Sequence, residues 1–165
     1  ASRKNIGIAP FAKHREKTYP PQQMEKVVAL LSQHPHLTVY LFGGKAEADT
    51  LNAWEKKYPN VVSVFGKTTL QTELALISKL NVMASMDSAN MHMASLKGVP
   101  VVSVWGGTHS CCGFLGWKQK SDNIIERDLK CRPCSVFGNK KCRFEQYQCL
   151  DIEPEVIIER IKNQV

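Results

Sequence analysis

A chain of 165 residues that is 43% hydrophobic has the mass for one domain with a proper core, and its apolar fraction is that of an ordinary globular protein. The net charge of +7 points to an anionic partner without choosing among nucleotide, nucleic acid and acidic membrane surface. No apolar run approaches the roughly 20 residues of a membrane-spanning helix, and the apolar stretch 6–12 runs straight into Lys-His-Arg-Glu-Lys, which is not a secretory signal. The expectation is a cytoplasmic protein, at most peripheral on the inner membrane. The chain starts a few residues before a core strand, as a piece of a longer protein would.

The segment 5–9 (NIGIA) reads as a first buried strand, followed by a polar, basic loop over 10–19. Pro20-Pro21 suits a helix entrance, and Met24, Val27, Val28, Leu30 and Leu31 recur at helical spacing until His34-Pro35. A second strand over 37–42 is closed by Gly43-Gly44. A more polar helix over 46–58 is stopped by Pro59, and a third strand covers 61–65. The helix expected over 70–80 puts Leu74, Ile77 and Leu80 on its apolar side. Strand 81–86, helix 90–97 and strand 99–105 form a βαβ unit, with Gly98 ending the helix. A loop over 110–119 holds about one helical turn, and a sixth strand lies near 123–126. A cysteine-bearing excursion over 130–150 precedes a helix over 153–163, with Val156, Ile157 and Ile161 inward. Strands and helices alternate with short connections, so the fold is α/β: a Rossmann-like, doubly wound parallel sheet of about six strands.

In such sheets ligands bind at the carboxyl edge, and two corners there carry chemistry. Asp87 and Ser88 are favoured helix N-caps. The amides of Ala89, Asn90 and Met91 behind them would face an anion, with the helix dipole in support. His92, in the first turn, is placed to donate to a phosphate or sugar oxygen. The alternative is that Asp87 and Ser88 cap the helix and His92 only packs. The first loop, Ala9-Pro10-Phe11-Ala12-Lys13-His14-Arg15-Glu16-Lys17, lacks glycine, so neither a dinucleotide fingerprint nor a P-loop is present. Lys17, just before the helix start, is the best phosphate candidate in that loop, although surface lysines are more often plain solvated charges. Glu47, after Gly43-Gly44, stands where a carboxylate accepts from a ribose hydroxyl in dinucleotide-binding domains. Gly106-Gly107 would allow close approach to a ligand.

Six cysteines fall at positions 111, 112, 131, 134, 142 and 149. Cys131, Cys134, Cys142 and Cys149 form a possible structural zinc set. The six residues between Cys142 and Cys149 exceed the usual spacing, so free thiols are the favoured reading. There is no Asp-x-Asp pair to clamp a divalent cation on a diphosphate, and no Gly-x-Ser-x-Gly or His-Glu-x-x-His. The basic segment 130–143 has only Phe137 as an aromatic, which argues against nucleic acid.

Together Lys17-Thr-Tyr-Pro20, Leu41-Phe-Gly-Gly44, Asp87-Ser-Ala-Asn-Met-His92, Gly98-Val-Pro-Val-Val102 and the loop from Cys131-Arg-Pro-Cys134 to Cys149-Leu-Asp-Ile152 resemble glycosyltransferase family 9, the ADP-heptose:lipopolysaccharide heptosyltransferases. The likeness is to the C-terminal, donor-binding half of a GT-B fold, and it takes in residues 1–165 as one nucleotide-sugar domain. It implies an inverting transferase that needs no cofactor and uses an ADP-heptose-like donor and a glycolipid acceptor held by an N-terminal domain outside this chain, which also supplies the general base. An anionic membrane is a further partner it allows. By the same resemblance Lys17 would stabilise the leaving diphosphate, while Pro10, Phe11 and Ala12 line the pocket. Thr68 would lie near the base, and Glu47 near the ribose. Asp87, Ser88, Ala89, Asn90 and His92 would hold diphosphate and sugar. Ala89 stands where the family has glycine, Tyr19 where it has tryptophan, and Thr108-His109 where it has Pro-Thr-Asp. A nucleotide-sugar epimerase-like domain and a non-enzymatic basic anion-binding module remain as other readings.

Overall fold

A computed structural model describes residues 3–165. Six strands, β1 (Lys4–Ala9), β2 (Leu37–Leu41), β3 (Val61–Ser63), β4 (Val82–Met86), β5 (Val101–Trp105) and β6 (Ile124–Glu126), form one parallel sheet in the order β3-β2-β1-β4-β5-β6. β4 and β5 are buried at every position, as strands covered on both faces must be.

Five helices cover the sheet: α1 (Pro21–Ser32), α2 (Ala48–Lys57), α3 (Leu70–Ile77), α4 (Ala89–Leu96) and α5 (Pro154–Lys162). Met24, Val27, Val28 and Leu31 of α1, Leu51 and Trp54 of α2, and Ile157, Ile158 and Ile161 of α5 share one apolar cluster with the strands. Ile77 of α3 joins Met91 and Ala94 of α4 in a second, together with Met83 and Trp105. The strand order reverses between β1 and β4, and the loops leaving those two strands diverge there, opening a crevice at the carboxyl edge.

Three details differ from the sequence reading. In α5, Ile158 is buried and Val156 is 38% exposed, because Pro154, Ile157, Ile158 and Ile161 keep the i, i+3, i+4, i+7 spacing of one face and Val156 does not. α3 stops at Ile77, where Lys79 N and Leu80 N tighten into three-residue turns onto the Leu76 and Ile77 carbonyls. That leaves Leu74 half-buried, while Ile77 and Leu80 are buried. β5 begins at Val101, after Pro100, which has no amide proton to donate to a ladder.

Candidate functional site

The loop after β1 holds Lys17 in place through its own hydrogen bonds. A single 3-10 turn, Arg15–Lys17, is clamped by Thr18 Oγ1, which donates to the His14 carbonyl at 3.0 Å, and by Arg15 Nη1, which donates to the Thr18 carbonyl at 3.0 Å. Gly107 N donates to the Glu16 carbonyl at 2.7 Å, fixing the turn against the end of β5. The approach requires glycine at 106: a Cβ there would stand 2.3 Å from the Glu16 carbonyl oxygen. The aliphatic stem of Lys17 lies under Gly138, which has a φ of +72° and no room for a side chain.

Lys17 Nζ reaches Asp87 Oδ2 at 3.2 Å, and Thr108 Oγ1 donates to the same oxygen at 3.1 Å. Ser88 Oγ pairs with Ser85 Oγ at 3.1 Å. Neither Asp87 nor Ser88 therefore caps α4 with its side chain, which corrects the sequence expectation. Asp87 is committed to a lysine and a threonine instead. The amides at the start of α4 receive no side-chain acceptor from the cap position and carry the positive end of the helix dipole.

Lys17, Asp87, Ser88 and the start of α4 border one cavity of about 470 Å³ at the switch point. Of the expected site residues the structure brings together Phe11, Ala12, Lys17, Glu47, Asp87, Ser88, Ala89, Asn90 and His92, with Lys13 beside them. Pro10 is buried at the end of β1 and does not line the cavity. Thr68 also stands off it, its hydroxyl turned to the Val64 carbonyl in its own turn. Glu47 lies at the cavity wall with Oε2 accepting from Gly44 N at 2.8 Å, so one carboxylate oxygen is already engaged.

Phe42, Glu73 and Phe114 also line the cavity, and the sequence reading names none of them as a site residue, although Phe42 stands in the Leu41-Phe-Gly-Gly44 motif. Phe42 directly follows β2 and Glu73 lies in the first turn of α3, so both sit at the carboxyl edge, a position that marks them in hindsight. Burial pushes the Glu73 carboxyl up, with the neighbouring Asn90 amide acting against it. Phe114, in an irregular loop, had no sequence signal; it packs edge-on to Phe137 of the cysteine loop, with ring centroids 5.7 Å apart.

The excursion over 130–150 is pinned by Arg132, which the sequence reading quotes within Cys131-Arg-Pro-Cys134 without giving it a role. Its side chain is 1% exposed and donates to the carbonyls of Gly106 at 2.7 Å and Thr108 at 2.8 Å, to Glu126 Oε2 at 3.0 Å, and to the Arg127 carbonyl. All six cysteines are free thiols. Burial pushes the Cys134 and Cys149 thiols up, whereas backbone amides of Tyr147 and Phe144 hold the Cys142 thiol below its ordinary range. Among the described residues no group of three or more His, Cys, Asp or Glu is placed to hold a metal ion.

A parallel sheet in this order, with a cation and a bare helix start meeting at its switch point, defines a Rossmann-like domain of the kind that forms half of a GT-B glycosyltransferase. The chain matches the model of "Glycosyltransferase family 9 (heptosyltransferase)" over residues 1–148, and it belongs to that family. It is 26% identical to lipooligosaccharide heptosyltransferase 2 of Campylobacter jejuni over 167 residues, covering 98% of this chain and 51% of that protein. It is 31% identical over 108 residues to the lipopolysaccharide core heptosyltransferase OpsX of Haemophilus influenzae, covering 63% of this chain and 30% of that one. In fold it is similar to the E. coli ADP-heptose lipopolysaccharide heptosyltransferase II, with a TM-score of 0.77 at 21% identity over 99% of this chain and 47% of the other. The chain spans about half the length of the Campylobacter relative.

Proposed function

We propose that this chain is the donor-binding half of an inverting heptosyltransferase that transfers a sugar from a nucleotide-diphosphate donor, ADP-heptose or a close analogue, to a lipopolysaccharide core or related glycolipid at the cytoplasmic face of the membrane. The observation that carries the reading is the meeting of Lys17 Nζ and the start of α4 on one cavity, with Asp87 joining them. A cation and several amides on one wall suit a diphosphate. Glu47, also lining the cavity, suits a ribose hydroxyl through its unengaged oxygen. The reading is supported by the family and by relatives whose names state heptosyl transfer onto lipooligosaccharide or lipopolysaccharide core.

In the reaction an acceptor hydroxyl oxygen attacks the anomeric carbon from the face opposite the diphosphate. The bond from that carbon to the diphosphate oxygen breaks, and a base takes the hydroxyl proton. Negative charge accumulates on the departing diphosphate, beside Lys17 and the α4 amides, which are fixed in advance and need no reorganisation. Asp87 orients the ammonium and Thr108 orients Asp87. The acceptor site and the base belong to the other half of the enzyme in this reading, so the domain alone binds donor without turning it over.

Calorimetry on the full-length protein with ADP and UDP tests the reading, with ADP expected to bind more tightly. Lys17→Ala is expected to lose ~1.5–3 kcal/mol of nucleotide affinity, the worth of a charge-assisted hydrogen bond. Folded protein that binds neither nucleotide, or a Lys17 variant with unchanged affinity, would remove the assignment. Steep salt-dependent binding to any polyanion would favour a basic anion-binding module instead.

A further inference from the structure

The cysteine-bearing loop presents to solvent a surface that its own packing leaves uncovered. Between positions 129 and 144 there is no Asp or Glu. Val136, Phe137 and Phe144 are 47%, 62% and 56% exposed, and Lys140, Lys141 and Arg143 are exposed between them. We propose that the stretch 136–144 docks the enzyme on a bilayer containing anionic lipid, with the apolar side chains entering the interface and the three cations meeting the headgroups. The proposal rests on the donor-binding reading only for the expectation that the acceptor is held in a membrane.

The stretch is exposed although its backbone is pinned. Asn139 N donates to Ser135 Oγ at 3.1 Å, closing a turn that carries Val136 and Phe137. Gly138 lies against the Lys17 stem, where a Cβ would stand 2.5 Å from Lys17 Cγ. Cys134 N donates to the Gly107 carbonyl at 2.7 Å, and Phe137 meets Phe114 edge-on at 5.7 Å. Single exposed apolar residues are ordinary, but three large ones within nine residues of a fixed loop mark a surface for a partner.

Charge identifies the partner. Among the described residues none of Lys140, Lys141 and Arg143 pairs with a carboxylate, and Arg143 lies over the Phe144 ring at 5.0 Å. Glu145 is the first acid after the stretch, so 136–145 carries three cations against one carboxylate, a net +2. Cations interleaved with aromatic side chains suit the headgroup level of a bilayer. Lysine stems lie along its apolar boundary there, and each charge near the surface adds attraction to anionic lipid. The position fits as well. Phe114 and Lys17, which Phe137 and Gly138 touch, both line the nucleotide cavity, so the docked loop forms part of that cavity's rim. An acceptor carried in the bilayer would then arrive at the edge of the donor site.

The test is sedimentation of the full-length protein with lipid vesicles. Vesicles of phosphatidylethanolamine and phosphatidylglycerol in about a 3:1 ratio should carry the protein down, and vesicles of phosphatidylcholine alone should bind it at least about tenfold more weakly. Lys140→Gln with Lys141→Gln, and separately Val136→Ser with Phe144→Ser, should each weaken binding about tenfold or more. Both pairs should leave ADP affinity, the thermal midpoint and activity on a deacylated, water-soluble acceptor unchanged. Wild-type protein that ignores the anionic vesicles, or a Val136, Phe144 variant that binds them like wild type, would overturn the proposal. So would a lower thermal midpoint, weaker ADP binding or lost activity on the soluble acceptor, because the stretch would then be seated against the other half of the enzyme or on the acceptor's own sugars. Vesicle binding by protein that fails to bind ADP would still support this surface and would count only against the donor reading.

Discussion

Lys17 Nζ stands 3.2 Å from Asp87 Oδ2, in a pair whose side chains are only 15% and 6% exposed. The carboxylate ties together three segments far apart in sequence, since Thr108 in the loop after β5 donates to the same oxygen. Removing one member of a shielded pair is worse than removing both, because the survivor keeps its desolvation cost without its partner. Asp87→Ala is therefore expected to destabilise the protein by about 2–3 kcal/mol in urea unfolding, below the 3–5 of a fully buried pair because Lys17 is partly wet. The Lys17→Ala, Asp87→Ala double variant should recover about 1 kcal/mol of the summed losses. Strict additivity would show the two side chains to be uncoupled.

Gly106→Ala tests the close approach that sets the position of Lys17. The added Cβ would come within 2.3 Å of the Glu16 carbonyl oxygen and 2.8 Å of Leu150 Cδ2. Leu150 can rotate, but the carbonyl is backbone and accepts from Gly107 N, so the turn that carries Lys17 has to move. The expected cost is about 1–3 kcal/mol of stability and a loss of nucleotide affinity comparable to that of Lys17→Ala, read by thermal unfolding and calorimetry. A variant that is destabilised and yet binds normally would show that Lys17 tolerates displacement of its turn.

The sheet and the two corners of the site were legible in the sequence because each follows from local signals. Short apolar runs such as 82–86 and 101–105, bounded by turn residues, read as strands covered on both faces, and the turn chemistry between them marked the βαβ unit. The resemblance in Asp87-Ser-Ala-Asn-Met-His92 named residues that the fold then gathered on one cavity. What stayed hidden was set by tertiary contact. Asp87 is a good cap by type, but Lys17, seventy positions earlier, and Thr108 claim its carboxylate. Phe114 and Arg132 lie in loops without periodicity, and their places come from Phe137 and from the carbonyls of Gly106 and Thr108. Val156 was misplaced by a count along the helix that one turn of geometry corrects.

Arg132 and Glu126 give an acid-limb prediction. Burial works against ionisation of the Glu126 carboxyl, yet hydrogen bonds from Ser110 and Arg132 prevail and hold it below the ordinary 4.5. A carboxyl whose folded value is depressed adds stability that is present above the unfolded value and is lost as pH falls through the folded one. Glu126→Gln should therefore cost about 1–2 kcal/mol near neutral pH, where the charge-assisted bond to Arg132 is lost. The deficit should shrink in acid, below about pH 4, where the wild-type carboxyl also becomes neutral. Urea unfolding at a series of pH values checks this, and parallel curves for the two proteins would refute it.

Tyr19 gives the opposite limb. Its ring is fully buried and its hydroxyl donates to the Ile152 carbonyl at 2.5 Å, fastening the entrance of α5 to the loop after β1. Burial, then the nearby charges of Glu153, Glu155 and Asp151, push its phenol well above the ordinary 10.0. The folded state thus keeps the neutral form over a range where the unfolded chain ionises. Stability from this group is whole below the ordinary value and drains away as pH rises above it. Tyr19→Phe leaves the Ile152 carbonyl without its donor and is expected to cost about 1–3 kcal/mol at neutral pH. The same variant has no phenol to ionise on unfolding, so its alkaline decline should be shallower and the two stability curves should converge between about pH 9 and pH 11. Thermal midpoints measured across that window decide the matter: a constant gap would mean that Tyr19 titrates alike in both states, and the burial of its hydroxyl would then carry no pH dependence.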